Sequence, residues 1–424
     1  MEVRKYQNGA GGAGDGRDGV REASAEAPAA VLHAEAAALA GDDAEGGITA
    51  ADPLAAALAD AAPVVDAATA PSGTPATGDP PRRYYAALDL GTNNCRLLVA
   101  QPTRRGFKVK TSFSRIIRLG EGLSTSGRLS NAAIERTIDA LKVCAGKMRS
   151  LRVARAGMIA TEACRSASNA PEFLSRARRE TGLDIKVISR ETEAKLAVAG
   201  CASLLDAQSD LALVFDIGGG SSELIWLDLT RCRQRWGRSL SERLEVQSCI
   251  AAWTSLPVGV VTLAERFGSR AIDHRTFEAM VAHVVHLLEP FEKTHALRPR
   301  LQRSSAHMLG TSGTVTTLAG VHLGLPRYDR SKVDGCWLGA RQARAVIGDL
   351  LALSFAERAA QPCIGPTLAE FVLGGCAILE AMLRTWPCER LRVADRGLRE
   401  GILATLMAQD GHHRGERRHA YGRR

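Results

Sequence analysis

The sequence predicts an α/β protein with a duplicated fold, two similar lobes flanking a cleft. Two observations carry that expectation. Apolar strand-like runs alternate with stretches of helical period from residue 84 to residue 408. The pattern then restarts: Leu88-Asp89-Leu90-Gly91-Thr92-Asn93 and Phe215-Asp216-Ile217-Gly218-Gly219-Gly220 each place an Asp at the end of an apolar run, ahead of a glycine-containing turn and a second run. The two aspartates stand 127 residues apart, about the size of one α/β domain, so the two turns are expected to oppose each other at the floor of the cleft.

The elements follow in chain order. Residues 1–80 hold 25 Ala, 11 Gly and 6 Pro with 4 basic and 13 acidic side chains; so little large apolar surface cannot offset ordering entropy, and 1–82 is expected to be a disordered acidic leader. The first lobe is expected over 83–207. YYAALDLG, CRLLVAQP and FKVKTSFSRIIRLG read as strands, and NAAIERTIDALKVCAGKMRSL as a helix with Ile134, Ile138, Leu141 and Met148 on one face. VARAGMIATEA, PEFLSRARRETG, DIKVISR and EAKLAVAGCASLL continue as strand, helix, short strand and helix. LALVFDIGGG and SSELIWLDL open the second lobe, expected over 208–410 with its C-terminal helix, and 411–424 form a basic tail.

Composition excludes several classes. The net charge of +9 combines a leader of −9, a body of about +14 between 81 and 410, and a tail of +4. A basic body implies a polyanionic partner. No run of about 18 apolar residues exists, so no membrane-spanning helix is expected, and the N-terminus has no apolar core of a secretory signal. Ten scattered cysteines without a CxxC pair argue against a zinc ribbon or a disulfide framework and predict reduced thiols in a cytoplasmic protein.

A strand ending in Asp before a glycine-rich hairpin has a chemical use. Converging backbone N–H groups accept phosphate oxygens, Gly admits close approach, and the carboxylate can hold a divalent cation that offsets phosphate charge. Thr92, Asn93, Ser221 and Ser222 add donors. One such turn is also an ordinary hairpin; two at domain spacing point to a site. LGTSGTVTTLAG (309–320) adds a third turn leading into a helix, whose N-terminus favours an anion or serves as a plain cap. Among the acids of RETEAKLAVAG, Glu191 has Lys195 at i+4, a surface pairing, whereas Glu193 shares its face with the small residues Ala197 and Gly200. Glu193 is therefore the better candidate for a cleft-facing base.

These motifs come in a recognisable order. The two Asp turns are followed by Ser221-Ser222-Glu223, and with them stand Ala160-Thr161-Glu162-Ala163-Cys164-Arg165, Glu191-Thr192-Glu193-Ala194 and Leu256-Pro257-Val258-Gly259. Gly310-Thr311-Ser312-Gly313-Thr314, Lys332-Val333-Asp334-Gly335 and Ala394-Asp395-Arg396-Gly397-Leu398-Arg399-Glu400-Gly401 complete the set. Together they resemble the exopolyphosphatase / guanosine pentaphosphate phosphohydrolase family of the actin-like ATPase fold group, over residues 84–408. The resemblance implies two actin-like, ribonuclease H-like lobes and Mg²⁺-dependent hydrolysis of a terminal phosphoryl group from linear polyphosphate or guanosine pentaphosphate. It implies Glu193 as catalytic carboxylate and Arg165 as the cation on the transferring oxygens. Asp89, Asp216 and Glu223 would serve the metal. Gly91, Thr92, Asn93, Gly218, Gly219, Gly220, Ser221, Gly310, Thr311 and Gly313 would bind phosphate.

Eleven further cations could line a channel for a long polyanion: Arg176, Arg178, Arg179, Arg190, Lys195, Arg266, Arg327, Arg330, Lys332, Arg396 and Arg399. The sequence has no His-Asp dipeptide such as longer relatives carry in a C-terminal helical extension, so a long processive channel is expected only if a homodimer supplies it. Other classes remain open. A kinase of the same fold group would need an acceptor, and a non-catalytic alarmone-binding regulator would bind without turnover. Nucleic-acid binding has only the basic tail in its favour.

Overall fold

Nearly every residue of Tyr84–Leu90 (β1) and of Leu211–Ile217 (β6) is buried. Strands apolar on both faces must be covered on both sides, which puts them at the centre of sheets. The computed structural model describes residues 83–103, 106–232 and 240–412, so the leader and all but the first two positions of the basic tail lie outside the described residues. β1 pairs antiparallel with Asn94–Thr103 (β2), which pairs with Gly106–Ile116 (β3). On its other side β1 runs parallel to Val153–Ala160 (β4), next to Lys186–Val187 (β5). β6 repeats this programme with Ser222–Asp228 (β7) and Ile250–Leu256 (β8) antiparallel and Ala306–Gly310 (β9) parallel. Trp337–Gly339 (β10) and Arg390–Val393 (β11) extend the second sheet in the order β10-β11-β9-β6-β7-β8.

Helices cover the outer faces. Asn131–Ser150 (α1), capped by the Ser130 side chain accepting from the Ala133 amide, buries Ile134, Ile138, Leu141 and Met148 on the first sheet, as their spacing predicts. Glu162–Ser166 (α2) and Ala170–Thr181 (α3) follow β4. Leu240–Glu245 (α5) precedes β8, and Val260–Phe267 (α6) follows it. His274–His295 (α7), Gly313–His322 (α8), Ala340–Ala352 (α9) and Val372–Thr385 (α10) enclose the core of the second lobe. Among the described residues no helix is long and apolar enough to cross a membrane.

Between the sheets lie Arg190–Cys201 (α4) and Leu398–Gln409 (α11). α4 turns Leu196 toward the first sheet and Ala194 and Val198 toward the second. α11 corrects the expected partition: it packs Ile402, Leu403 and Leu406 against Tyr85, Ala87 and Leu98 of the first lobe. The chain crosses back because α11 carries apolar residues around most of its circumference and needs two partners, the first sheet and α4. The two helices meet backbone to backbone. A Cβ at Gly200 would lie 1.8 Å from the Gly397 carbonyl oxygen, and one at Gly401 would lie 2.0 Å from that of Leu196. The small face predicted beside Glu193 is thus a helix contact. Gly401→Ala is expected to force the helices apart and lower unfolding free energy by about 1–3 kcal/mol, measured by urea denaturation; an unchanged midpoint would contradict this packing.

In the segment 231–250 the Cys232 and Cys249 side chains lie against each other, with Cα atoms 6.4 Å apart. The other eight cysteines are free thiols. Turns at Leu229–Cys232 and Val246–Cys249 pack together and bring the two sulfurs within reach, a juxtaposition that spacing in the chain does not reveal. The described part of the segment braces α4: Gln247 Nε2 donates to the Lys195 carbonyl at 3.0 Å, and Leu240 of α5 joins the core around Leu196.

Candidate active site

Both hairpins close in the same way. The Gly91 amide donates to the Asn94 carbonyl at 2.9 Å, and the Gly218 amide to the Ser221 carbonyl at 2.9 Å. Strand register then sets Arg96 across from Asp89, and Glu223 across from Asp216. The turns meet at the cleft floor, where a Cβ at Gly219 would come within 3.1 Å of Thr92 Cβ; only a bare backbone allows that approach. Among the described residues the amides of Gly219 and Gly220 make no hydrogen bond, so they can receive an anion. The cleft holds about 140 Å³, on the order of ten water-sized positions.

Asp89, Glu193, Asp216 and Glu223 line this cleft together. Burial raises the proton affinity of all four. For Glu193 burial is reinforced by the negative charge of Glu223, and its carboxyl is held well above the ordinary range. Burial and Asp216 push Glu223 up to about 7, although Ser221 Oγ and Ser255 Oγ donate to its Oε1 at 2.8 and 3.0 Å. The Arg96 and Arg399 guanidiniums work in the opposite direction on Asp89 and Asp216. A Thr311 hydroxyl further favours the ionised form of Asp216. The Asn93 side-chain oxygen is buried without a hydrogen-bond partner.

Arg165 is already occupied. Its Nη1 donates to Glu193 Oε2 at 2.7 Å and to the Ile188 carbonyl at 3.0 Å. Its Nε and Nη2 both hold Glu162 Oε2, at 3.0 and 2.9 Å. Glu162 also accepts from Ser166 and Arg190. A guanidinium clamped between two carboxylates orients Glu193 and partly compensates its burial.

The cleft thus gathers Asp89, Gly91, Thr92, Asn93, Glu193, Asp216, Gly218, Gly219, Gly220, Ser221, Glu223 and Gly313. It does not gather Arg165, Gly310 or Thr311 among its lining residues. Gly310 sits in the core, where a Cβ would strike Val315 and Phe215, and the Thr311 amide is bound to the Phe215 carbonyl. None of the eleven cations expected in a channel lines the cleft either. Arg176 pairs with Glu135 and Glu180, Lys195 with Glu191, Arg330 with Asp395 and Glu400, and Arg396 with Asp334. In these four, carboxylates close in space offset the charge.

Sequence reasoning missed Arg96, Glu162 and the apolar wall of Val260, Leu368, Phe371 and Val372. For Arg96 a signal existed: it follows Asp89 by the same seven positions that separate Glu223 from Asp216. The wall comes from α6, α10 and the turn before α10, which no local pattern joins to the hairpins.

Comparison with known proteins places these features in context. A model described as the Ppx/GppA phosphatase family matches residues 98–410. The guanosine-5'-triphosphate,3'-diphosphate pyrophosphatase of Aeromonas salmonicida is 28% identical over 327 residues, 77% of this chain and 60% of that protein. The protein of the same description from Photobacterium profundum is 28% identical over 332 residues, again covering 60% of its length. The chain therefore spans about 60% of the length of these curated relatives. Among solved structures, an Aquifex aeolicus member of the Ppx/GppA family is 28% identical with a TM-score of 0.61, covering 78% of this chain and 99% of that one. An exopolyphosphatase from Cytophaga hutchinsonii, 23% identical with a TM-score of 0.66, shares the fold over 78% of this chain and 98% of that one.

Proposed function

The chain belongs to the Ppx/GppA phosphatase family, and from that premise we propose that it is a cytoplasmic phosphoanhydride hydrolase releasing terminal orthophosphate from linear polyphosphate. The observation that carries this reading is Glu193, buried in the cleft beside the two glycine turns and held by Arg165 at 2.7 Å. Phosphoryl transfer to water depends on positioning and charge neutralisation, and the cleft is built for both. The free amides of Gly219 and Gly220 bind the terminal phosphate, with Thr92, Asn93 and Ser221 around it. Glu193 orients the attacking water and takes its proton. Its raised proton affinity makes it a stronger base than a free carboxylate.

Five carboxylates line the cleft against one lining guanidinium, Arg96, so an anionic substrate needs a cation there. The donor set fits Mg²⁺: hard oxygens from Asp89, Asp216 and Glu223, with the unpartnered Asn93 oxygen near the same floor. Among the described residues no three His, Cys, Asp or Glu side chains form a ready-made metal cluster, so these oxygens would hold the ion together with water or substrate oxygens. When bound, Mg²⁺ supplies charge neutralisation for the phosphate oxygens.

A second substrate, guanosine pentaphosphate, is favoured by the wall of Val260, Leu368, Phe371 and Val372 beside the polar floor, which suits a nucleoside better than a bare phosphate chain. Phosphate release with Mg²⁺, measured on polyphosphates of several lengths, guanosine pentaphosphate and ATP, tests both readings. kcat/KM is expected to rise with pH, because Glu193 works as an anion and burial makes it hold its proton more tightly than a free carboxyl does. Absence of release from every substrate would defeat the proposal.

A further inference from the structure

The backbone of Arg118 has φ 49°, left-handed for a residue with a Cβ. Such conformations persist where surrounding contacts over-determine them. Two sets of contacts converge on Arg118. On its own lobe, the segment after β3 is hydrogen-bonded to the first glycine turn. The Ile117 and Arg118 amides donate to the Asn93 carbonyl at 2.9 and 3.1 Å, and the Gly120 amide donates to that of Thr92 at 2.9 Å. Across the cleft, Arg118 Nη2 meets Glu370 Oε2 at 2.6 Å, and its guanidinium lies over the Phe371 ring, 5.8 Å from the centroid. Its own-lobe carboxylate, Glu121, is farther away at 3.9 Å. A second tie on the same rim joins Glu265 of α6 to the Gly122 amide at 3.0 Å and to the Ser124 hydroxyl.

We propose that Arg118 is a positioning residue: its ion pair with Glu370 clasps the two lobes at the rim and holds the Thr92–Asn93 turn at a fixed distance from the Phe371 wall. The inference rests on reading the cleft as the hydrolytic site. The pair is partly shielded, with side-chain exposures of 35% and 21%, so it is screened less than a surface pair. Its leverage comes from geometry. The turn that contacts phosphate is bonded to the backbone of the residue whose side chain grips the other lobe. A displacement of about 1 Å there would misplace phosphate relative to Glu193.

The test uses the full chain and four variants: Arg118→Met, Glu370→Gln, the double variant, and the exchanged pair R118E/E370R. Each single change is expected to lower kcat roughly ten-fold while KM moves much less, the double variant to be no worse than either single one, and the exchanged pair to recover most of the loss. Hydrogen exchange followed by mass spectrometry supplies a readout independent of turnover. Peptides covering 91–96 and 117–124 should exchange faster in both single variants and return toward wild type in the exchanged pair. Additive losses in the double variant, or unchanged exchange in these peptides, would overturn the proposal. If the wild-type protein releases no phosphate from any substrate, the functional reading falls and the exchange data alone decide the clasp.

Discussion

Glu193→Gln is expected to lower phosphate release by about 10³-fold, the middle of the range for removing a general base, while the protein remains folded. Gln preserves volume and can still accept from Arg165 Nη1, so the clamp between Glu162 and position 193 has no geometric reason to open. What disappears is the ability to take a proton. The change also removes one of the buried carboxylates that repel each other, since Glu223 is a cause of the raised proton affinity of Glu193. Thermal stability at pH 8 should therefore be no lower than in the wild type. Turnover near the wild-type rate would remove Glu193 from the catalytic role, and a lower unfolding midpoint would mean that the carboxylate stabilises the fold.

Asp216→Asn is expected to cost about 10²-fold in kcat/KM and to raise the Mg²⁺ concentration needed for half-maximal rate. A second readout does not depend on activity. Asp216, like Asp89, Glu193 and Glu223, binds its proton more tightly in the folded state than a free carboxyl does. Between the ordinary carboxyl range and about 7 these four carboxyls hold more protons in the folded chain than in the unfolded one, whereas His307, His295 and His412, their proton affinity lowered by burial, hold fewer. The contribution of the four carboxyls to stability falls as pH rises through that window, and that of the histidines rises. Without divalent cation, thermal unfolding followed by circular dichroism should therefore show stability falling more steeply, or rising less, with pH in the wild type than in the variant, whose histidines are unchanged. Mg²⁺ should offset the decline less well when Asp216 is neutral. Identical pH profiles for the two proteins would remove Asp216 from the buried acidic group.

Much of the architecture was legible in the chain itself. Strand–turn–strand units around Asp89 and Asp216 are read from short continuous apolar runs and glycine within a dozen residues, and hairpin geometry then determines what stands opposite each Asp. The same offset predicts Glu223 in one lobe and Arg96 in the other. The helical spacing of Ile134, Ile138, Leu141 and Met148 and the pairing of Glu191 with Lys195 at 2.7 Å are equally local. So is the small face of α4, although only the structure shows that Gly200 accommodates Gly397.

The cations resisted a local reading. Arg165 looked like a free phosphate ligand because one partner, Glu193, lies 28 positions away, although the other, Glu162, precedes it by three residues in α2. The proposed channel arginines looked available until Glu135, Asp334 and Asp395 were found beside them. α11 was assigned to the lobe that precedes it in the chain, yet its apolar surface is satisfied in the other.

By itself, the sequence determined the duplicated α/β plan, the two Asp turns and the pairing of Glu191 with Lys195, because each rests on periodicity and hydrogen bonding within a few turns of chain. The tertiary structure alone decided which charges are neutralised, where α11 docks, how Cys232 meets Cys249 and how Arg118 reaches Glu370. Those outcomes depend on which distant surfaces packing brings together. A charge's work is set by the partners within about 4 Å, and neighbours in the chain do not specify them.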